Sequence, residues 1–527
     1  MEMRPGTALS ALLLCALASA RAEGDLAPGP DRARGWDWDL GLEVHPSTGS
    51  DPRGKGVVDT ADRFGPNWWA LRADVRSWRA WTRQPDFLAG TADLSWGARP
   101  GDPGFGLLFR SRIGLRRDYE AWIADDAAHN LPLWTNEVDI NVPYEGFAEA
   151  RFGPAELRVG RFEQRTGPSP SRGVTLSGAP WLDAVRFAFD FTPDRPRDAG
   201  HVRYTLFVSS LDPWLEGTPG ITDTAGSEAQ RQRETAPVDN QRGRIYGQPV
   251  KTYAFHRLDL AFGAVRIGLQ ENAMVGGKDP DLRDLTPFGF WHNNYNDGMD
   301  NAHTTADLLL DLPFVGELYG EYVVDDVNED GATQPTVGAW MVGWHREWTA
   351  GANGFSARAE WISVDPLYGR FALPLLELTD RRRWRSNYRD RSSRTYADTG
   401  FVDTWVVDAP MGYWRGPDVV DLWIDLAWTR GRWAVEGTFG WLRTGAWNVR
   451  PEYDWRNAPD SPLEGKERRE LWLQADVVRR LVRPDMRLRV GCSWTEVLER
   501  GEIGQPVSDG FGLSADLAWR ISFRKAR

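Results

Sequence analysis

Residues 276–303 form a polar segment whose side chains are suited to binding sugars. Carboxylates and carboxamides offer paired hydrogen-bonding groups to sugar hydroxyls, and aromatic rings can cover the apolar face of a pyranose. The candidates in and beside this segment are Asn272, Lys278, Asp279, Asp281, Trp291, His292, Asn293, Asn296 and Asn301. An ordinary hydrated loop that uses Asn, Asp and Gly for its turns remains the alternative interpretation.

A second candidate site lies at residues 380–394, where arginines cluster in an otherwise acidic protein. Guanidinium groups bind carboxylates and phosphates through paired hydrogen bonds. We hypothesise a site for acidic sugars there. Contact with lipopolysaccharide phosphates, or neutralisation by acids elsewhere in the protein, remains an equal alternative. The candidate residues are Arg381, Arg382, Arg383, Trp384, Arg385 and Tyr388.

A weak calcium candidate follows at Asp326, Asn328 and Asp330, which match the first half of a calcium loop. Val337 stands where a bidentate glutamate should close such a site, so a tight hairpin turn is the preferred interpretation. We therefore expect neither a bound metal ion nor a cofactor.

The sequence favours no enzymatic activity. Its seven histidines show no H-x-x-x-H or H-E-x-x-H spacing, and neither G-x-S-x-G nor a phosphate loop occurs. Glu321 and Asp325 share one face of a predicted strand, but about 13 Å separates them at about 3.3 Å per residue. That distance exceeds the carboxylate separation of ordinary glycosidases.

The elements that position these residues are predicted to be β-strands. Apolar and polar residues alternate in residues 422–428, 433–441, 486–494 and 511–523, and the connections between runs are alternately short and long. This pattern is typical of a large antiparallel transmembrane β-barrel. We expect an all-β fold of about 18 strands between Trp68 and Phe523. Long extracellular loops are predicted at residues 118–143, 163–180, 211–250, 276–303, 365–418 and 443–469, and some of them could be helical or plug the lumen.

The N-terminus resembles a secretory signal, with a charged start, an apolar stretch and small residues before position 23. The sequence therefore predicts a signal peptide at residues 1–22, a periplasmic leader at residues 23–67 and a barrel at residues 68–527. The leader includes Trp36–Val44, since a strand there would make the count odd. No later stretch is apolar enough for a transmembrane helix.

The amino-acid composition limits the kinds of molecule that the protein is expected to bind. The formal net charge of −12 disfavours nucleic-acid binding. Only Cys492 would remain after signal cleavage, so no intrachain disulfide is expected. The 28 tryptophans favour an aromatic girdle at the membrane interface over ligand stacking.

Several motifs together resemble one family. They are HRLDL at residues 256–260, GLQENAMVGGKDPDLRDLTPFGFWHNNYN at 268–296, ELYGEYVVDD at 317–326, Gly167-Pro168 and GVTLSGAP at 173–180. Over residues 167–326, about a third of the chain, the sequence resembles the outer-membrane capsule-assembly proteins of the Wzi type. The resemblance implies a large monomeric barrel that holds surface polysaccharide, or lies on its export route, without chemistry on it.

We therefore expect a protein of the bacterial outer membrane that binds and anchors capsular polysaccharide or exopolysaccharide. The alternatives are an export conduit that works with a periplasmic polysaccharide-export protein, or a general diffusion porin. The expected partners are the polymer, outer-membrane lipids and lipopolysaccharide. A plug formed by residues 365–418 or 211–250 would favour anchoring, whereas an open charged pore would favour transport.

Overall fold

The structure is a computed structural model that describes the chain in separate ranges. These are residues 36–44, 47–49, 88–97, 105–115, 145–169, 172–177, 181–192, 200–211, 250–276, 280, 286, 300–326, 336–371, 376–386, 403–413, 415–445, 463, 467–481, 486–499 and 510–524. Within them the backbone forms 21 strands. The strands are β1 Trp36–Val44, β2 Ser47–Gly49, β3 Leu88–Gly97, β4 Phe105–Leu115, β5 Glu145–Phe152, β6 Ala155–Glu163, β7 Trp181–Asp190, β8 His201–Leu211, β9 Lys251–Phe262, β10 Val265–Gly276, β11 Asp300–Leu312, β12 Gly316–Asp326, β13 Val337–Ala350, β14 Asn353–Val364, β15 Thr379–Ser386, β16 Asp403–Pro410, β17 Val419–Arg430, β18 Trp433–Gly445, β19 Glu467–Arg480, β20 Met486–Glu499 and β21 Gly510–Arg524.

One large antiparallel sheet closes on itself. From β3 onward each strand pairs with the next along the chain, except that β14 pairs with β17, and β1 pairs with both β3 and β21. The short strand β2 also pairs with β21 and continues the line of β1. The 19 strands of the sheet therefore form a ring of 18 positions, and β15 and β16 make a separate hairpin. The prediction of an all-β fold of about 18 strands is confirmed.

Strand β1 corrects one sequence prediction. Trp36–Val44 was predicted to belong to a periplasmic leader, but it is a wall strand. Its register places Val44 opposite Trp519 of β21 and Trp36 opposite Trp96 of β3. Because both of its edges are hydrogen-bonded, no position remains in the sheet for another strand between β1 and β3. In the described part of the chain the barrel wall thus begins at Trp36, and the predicted signal peptide lies outside the described residues.

The two faces of the wall differ in polarity. Side chains at alternate positions are apolar and exposed on the outer face, as at Val342, Leu426 and Val490, which are 57%, 56% and 50% exposed. Residues of the opposite parity include carboxylates, and Glu321 and Glu360 are buried inside the ring. A closed ring leaves no free strand edge in the bilayer. An apolar outside and a polar inside are the features of an outer-membrane type of β-barrel.

Two tryptophans on β13 bound the apolar face. Trp340 and Trp348 have the same outward parity as Val342, and both are exposed. Eight residues separate them, which is about 26 Å along a strand at about 3.3 Å per residue. The apolar band between the two aromatic girdles of such barrels is about 25 Å tall. For these two residues the geometry agrees with the predicted interfacial role.

Short and long connections lie at opposite ends of the barrel. Two residues join β5 to β6, β9 to β10, β13 to β14 and β17 to β18. The six predicted long loops all connect strands at the other end, following β4, β6, β8, β10, β14 and β18. In outer-membrane barrels the end with long loops faces the cell exterior.

Candidate functional site

The connection after β6 folds into the lumen and crosses it. We call its described residues, 164–169 and 172–177, the crossing segment. Arg172 in this segment forms an ion pair of 2.8 Å with Asp425 on β17. Seven strands separate β7 from β17 in one direction around the ring and nine in the other. Asp425 is therefore on the opposite wall.

Arg172 is fixed by two carboxylates and an aromatic ring. Its Nη1 donates to Glu360 Oε2 and to Asp425 Oδ2, each at 2.8 Å, and its guanidinium carbon lies 4.1 Å from the ring centroid of Trp423. The Arg172 side chain is only 2% exposed. Burial lowers the pKa of Arg172, but Asp425 and Glu360 outweigh burial and raise that pKa above its ordinary value. The guanidinium therefore stays charged.

Glu360 connects the same segment to a second part of the wall. Its Oε1 accepts hydrogen bonds from the Ser169 hydroxyl at 2.8 Å and from the Tyr319 hydroxyl at 2.7 Å. Together with the contact from Arg172, these bonds supply a buried carboxylate with several partners. A buried charge with fewer partners would destabilise the fold.

Glu321 on β12 holds the backbone of the crossing segment. Its carboxylate accepts hydrogen bonds from the amide of Thr175 at 2.8 Å and from the amide of Val174 at 3.2 Å. Gly167 lies against the same carboxylate with a φ of 88°, and a Cβ atom there would be 2.5 Å from Glu321 Oε2. This close approach requires glycine at position 167.

A second segment, which we call the inner segment, packs beside the crossing segment. It comprises residues 365–371, 376–379, 410–413 and 415–418 of the connection between β14 and β17. The Tyr368 hydroxyl donates to the Val174 carbonyl at 2.8 Å, and the Ser177 amide donates to the Met411 carbonyl at 3.1 Å. The apolar residues that the two segments bury in the lumen are Val174, Leu176, Leu367, Tyr368, Leu376, Leu378, Met411 and Tyr413.

Wall residues of β9 and β11 hold the inner segment through its carbonyl groups. Lys251 Nζ donates to the carbonyl of Glu377 at 2.9 Å, and Asn301 Nδ2 donates to the carbonyl of Leu376 at 3.1 Å. Both side chains are buried. Their polar groups therefore stabilise the lumen filling rather than face solvent.

Asp325 on β12 makes a further contact with the inner segment. Its Oδ2 accepts a hydrogen bond from the Gly369 amide at 2.7 Å, and its Oδ1 lies 2.7 Å from His303 Nε2. Both side chains of this contact are buried. Glu321 and Asp325 thus hold two different segments.

Asp365 begins the inner segment just beyond β14. Its Oδ2 accepts a hydrogen bond from the Gly338 amide at 2.8 Å. Burial is the largest cause that raises the pKa of Asp365, the Gly338 amide lowers it, and the nearby carboxylates of Asp325 and Asp418 raise it, so that together they bring it to about 6. Ionisation of Asp365 is therefore sensitive to pH near neutrality.

Two of the predicted sugar-binding residues lie in the wall. Asn272 on β10 is buried, and its Oδ1 accepts hydrogen bonds from the Tyr253 hydroxyl at 3.2 Å and from Gln270. Asn301, one strand away, holds the inner segment as described above. The structure brings these two residues to neighbouring strands and gives both of them contacts within the fold.

The other predicted site residues are described only in part. Arg381, Arg382, Arg383, Trp384 and Arg385 lie on the backbone of β15, where Trp384 is opposite Trp405 of β16. The candidates outside the described residues are Lys278, Asp279, Asp281, Trp291, His292, Asn293, Asn296, Tyr388, Asn328 and Asp330. Asp326, the first calcium candidate, ends β12.

Among the described residues there is no group of three or more His, Cys, Asp or Glu side chains that could hold a metal ion. No helix in that part of the chain is long and apolar enough to cross a membrane. The expected lack of enzymatic activity stays a prediction.

The crossing segment is the main feature that sequence reasoning missed, since residues 163–180 were predicted only as a long extracellular loop. The structure places Val174 and Leu176 in the lumen with no exposed surface. The available signal was the apolar pair itself, together with the glycines at 167 and 173 that allow close approach to Glu321. A loop facing water has little reason to carry such apolar side chains.

The chain is similar in structure to several solved barrels. For the Wzi outer-membrane protein of Escherichia coli, involved in group 1 capsule assembly and described as a carbohydrate-binding β-barrel, the TM-score is 0.48 at 12% identity, over 96% of this chain and 87% of that one. For OccK3 of Pseudomonas aeruginosa the TM-score is 0.40 at 10% identity, over 93% of this chain and 96% of that one. For a loop-deletion mutant of OmpT, an outer-membrane protein of Vibrio cholerae, the TM-score is 0.35 at 8% identity, over 93% of this chain and 100% of that one. No protein-family model and no curated protein matches the chain. The closed antiparallel ring, apolar outside and polar inside, is that of an outer-membrane β-barrel.

Proposed function

We propose that the protein binds an exported capsular polysaccharide or exopolysaccharide at the extracellular end of the barrel and retains it at the cell surface without chemical change. The observation that carries this proposal is the filled lumen. The crossing segment and the inner segment bury apolar side chains between opposite walls, with Arg172 bonded to Asp425 and Glu360. A rigid filling of this kind supports a fixed platform for binding loops better than it supports a wide channel.

The polar loops supply the binding chemistry in this proposal. The inner segment continues directly into β15, whose backbone carries Arg381, Arg382, Arg383 and Arg385. Guanidinium groups form paired hydrogen bonds with carboxylates, which favours a polymer that contains uronic acids or other acidic substituents. The loop at residues 276–303 supplies the carboxamides and aromatic rings suited to neutral sugar units.

Deletion of the gene tests retention against export. We expect cell-bound polymer to fall while released polymer persists, because polymer is still exported but no longer held. An export conduit instead predicts the loss of both fractions. Restoring cell-bound polymer with the Cys492→Ser chain would show that the assay depends on the protein and not on its thiol.

A binding measurement tests the proposal on the purified protein. Replacing Arg381, Arg382, Arg383 and Arg385 with glutamine should weaken binding of an acidic polymer by at least about tenfold and reduce its salt dependence. The double variant Arg161→Gln and Arg165→Gln is the control, since it removes charge from another part of the barrel. Equal binding by both variants would contradict an arginine-dependent site.

The porin alternative is tested by conductance in planar bilayers. A general diffusion porin predicts a steady, large conductance from the unmodified protein, because its lumen must admit hydrated solutes. The filled lumen leads us to expect little conductance. A large steady conductance together with unchanged cell-bound polymer after deletion would favour the porin.

A further inference from the structure

Four arginines from four neighbouring strands converge on one carboxylate inside the barrel. Glu156 on β6 lies 3.8 Å from Arg151, 3.8 Å from Arg158 and 3.4 Å from Arg203, and it is in direct contact with Arg186. These arginines lie on β5, β6, β8 and β7. We call the five residues the Glu156 cluster.

The Glu156 cluster carries excess positive charge. One further carboxylate, Glu149 on β5, accepts hydrogen bonds from Arg151 Nε and Arg158 Nε, each at 2.7 Å. Among the described residues, four guanidinium groups therefore face two carboxylates, which gives the site a net formal charge of +2. Like charges held this closely repel one another unless an anion lies between them.

The neighbouring carboxylates have partners of their own. Asp190 Oδ2 lies 3.4 Å from His201 Nε2. Asp259 Oδ1 accepts a hydrogen bond from Arg257 Nε at 2.8 Å, and Arg257 also pairs with Asp307 at 2.6 Å. These pairs do not compensate the excess charge of the Glu156 cluster.

The Glu156 cluster is partly exposed and lies toward the end opposite the long loops. Arg151 and Glu156 flank the two-residue turn between β5 and β6, and the side chain of Arg203 is 36% exposed. Arg186 Nε is buried and has no hydrogen-bond partner among the described residues. An oxyanion that enters from the short-turn end would therefore meet the partly exposed Arg203 guanidinium, next to an arginine that keeps an unused donor.

We propose that the Glu156 cluster is an anion-binding site that takes the carboxylate or phosphate group of a small sugar acid or sugar phosphate from the periplasmic mouth of the barrel. Planar guanidinium groups match the geometry of both oxyanions. The partly enclosed lumen also screens these charges less than open water does. This site is independent of the loops that the proposed function uses, and it lies at the other end of the barrel.

Calorimetric titration of the purified full chain in detergent tests this site. The probes are glucuronate and inorganic phosphate, with glucose as the neutral control. We expect saturable binding of at least one anion, weakening as salt rises, and no binding of glucose. Binding of glucuronate alone assigns the site to sugar carboxylates, and binding of phosphate alone assigns it to phosphate groups.

Two variants shift the affinity in opposite directions if the site is correct. The double variant Arg186→Gln and Arg203→Gln should weaken anion binding by at least about tenfold, which is about 1.4 kcal/mol, because it removes two charged hydrogen-bond donors. The Glu156→Gln variant should strengthen binding, because it removes the carboxylate that competes with the ligand.

The matched control is Arg161→Gln, which changes an arginine of the same strand that pairs with Asp183 and has the outward parity of Val159. It should bind the anions as the unmodified chain does. Failure of the unmodified chain to bind either anion would overturn the proposal. Binding that is unaffected by the double arginine variant or by Glu156→Gln would also overturn it. If the double variant fails to fold, Arg203→Lys and Glu156→Gln still test the site.

Discussion

Arg172 and Asp425 form an ion pair of 2.8 Å that joins a connection after β6 to the far wall of the barrel. The same guanidinium binds Glu360, whose side chain has no exposed surface. The pair therefore fixes the position of the crossing segment within the lumen.

Replacing Arg172 with glutamine should destabilise the barrel and open the lumen. Glu360 would then be a buried carboxylate without a cationic partner, and breaking a buried ion pair from one side costs about 3–5 kcal/mol. We expect a lower unfolding temperature in detergent and a higher conductance in planar bilayers. The control is Arg165→Gln, whose side chain is 30% exposed in the same segment. Unchanged conductance of Arg172→Gln would contradict a role for Arg172 in holding the segment.

Two glycines with positive φ allow a comparison of two effects of substitution: a clash with the Glu321 carboxylate, and backbone strain alone. At Gly167 a Cβ atom would be 2.5 Å from the Glu321 carboxylate, whereas at Gly153 nothing lies within 4 Å. Both substitutions to alanine place a Cβ atom in the left-handed region, which costs about 1–2 kcal/mol. Only Gly167→Ala should also displace the crossing segment and raise conductance. Equal effects of the two substitutions on unfolding temperature and conductance would count against this interpretation.

Asp365 should make the stability of the barrel depend on pH. Its pKa in the folded protein is about 6, above the ordinary value of 3.8, so the folded state binds the proton more tightly than the unfolded state. Its contribution to stability is complete below about pH 3.8 and is lost as pH rises through about 6. We expect Asp365→Asn to raise the unfolding temperature at pH 7.5 and to have little effect at pH 4.

The exposed carboxylate Asp311 provides the control for this pH measurement. The Asp311→Asn variant should keep the pH dependence of the unmodified chain between pH 4 and 7.5. If Asp365→Asn kept the same dependence, another group would have to cause it.

Cys492 should report the lipid-facing side of the wall. It is exposed near the middle of β20, with the same parity as the outward residues Val490 and Trp494. In membranes, we expect Cys492 to react with a lipid-soluble maleimide and to be protected from a charged, water-soluble one. Gln474→Cys in a Cys492→Ser background is the matched control, since Gln474 faces the lumen and bonds to the buried Asp476. Equal reactivity of both positions with the charged reagent would contradict this orientation.

The wall was predictable from sequence because its signal is local. Outward apolar residues such as Leu426, Val435 and Val490 recur at every second position, and the two-residue turns within hairpins each begin with glycine. Strand β1 was not predictable in the same way. Its place depends on pairing with β21, almost the whole length of the chain away, and no local pattern encodes such a partner.

The roles of polar residues near the strand ends were harder to predict. Asn272 and Asn301 have the side chains that a sugar site needs, yet one bonds to Tyr253 and the other bonds to the inner segment. Periodicity tells which face of a strand a residue occupies, but not whether water or another segment covers that face. The same limit applies to Glu321, whose partners are backbone amides that any sequence could supply.

The pairing of β1 with β21 makes the first and last of the described strands the seam of the barrel. The carboxylates that bind Arg172 lie on β14 and β17, and both strands precede β21 along the chain. The crossing segment can therefore dock on its partners while the sheet is still an open, curved surface. We expect the seam to form last and to close the wall around an interior that is already packed. A chain truncated before β21 would keep every partner of Arg172 and lose only the closure.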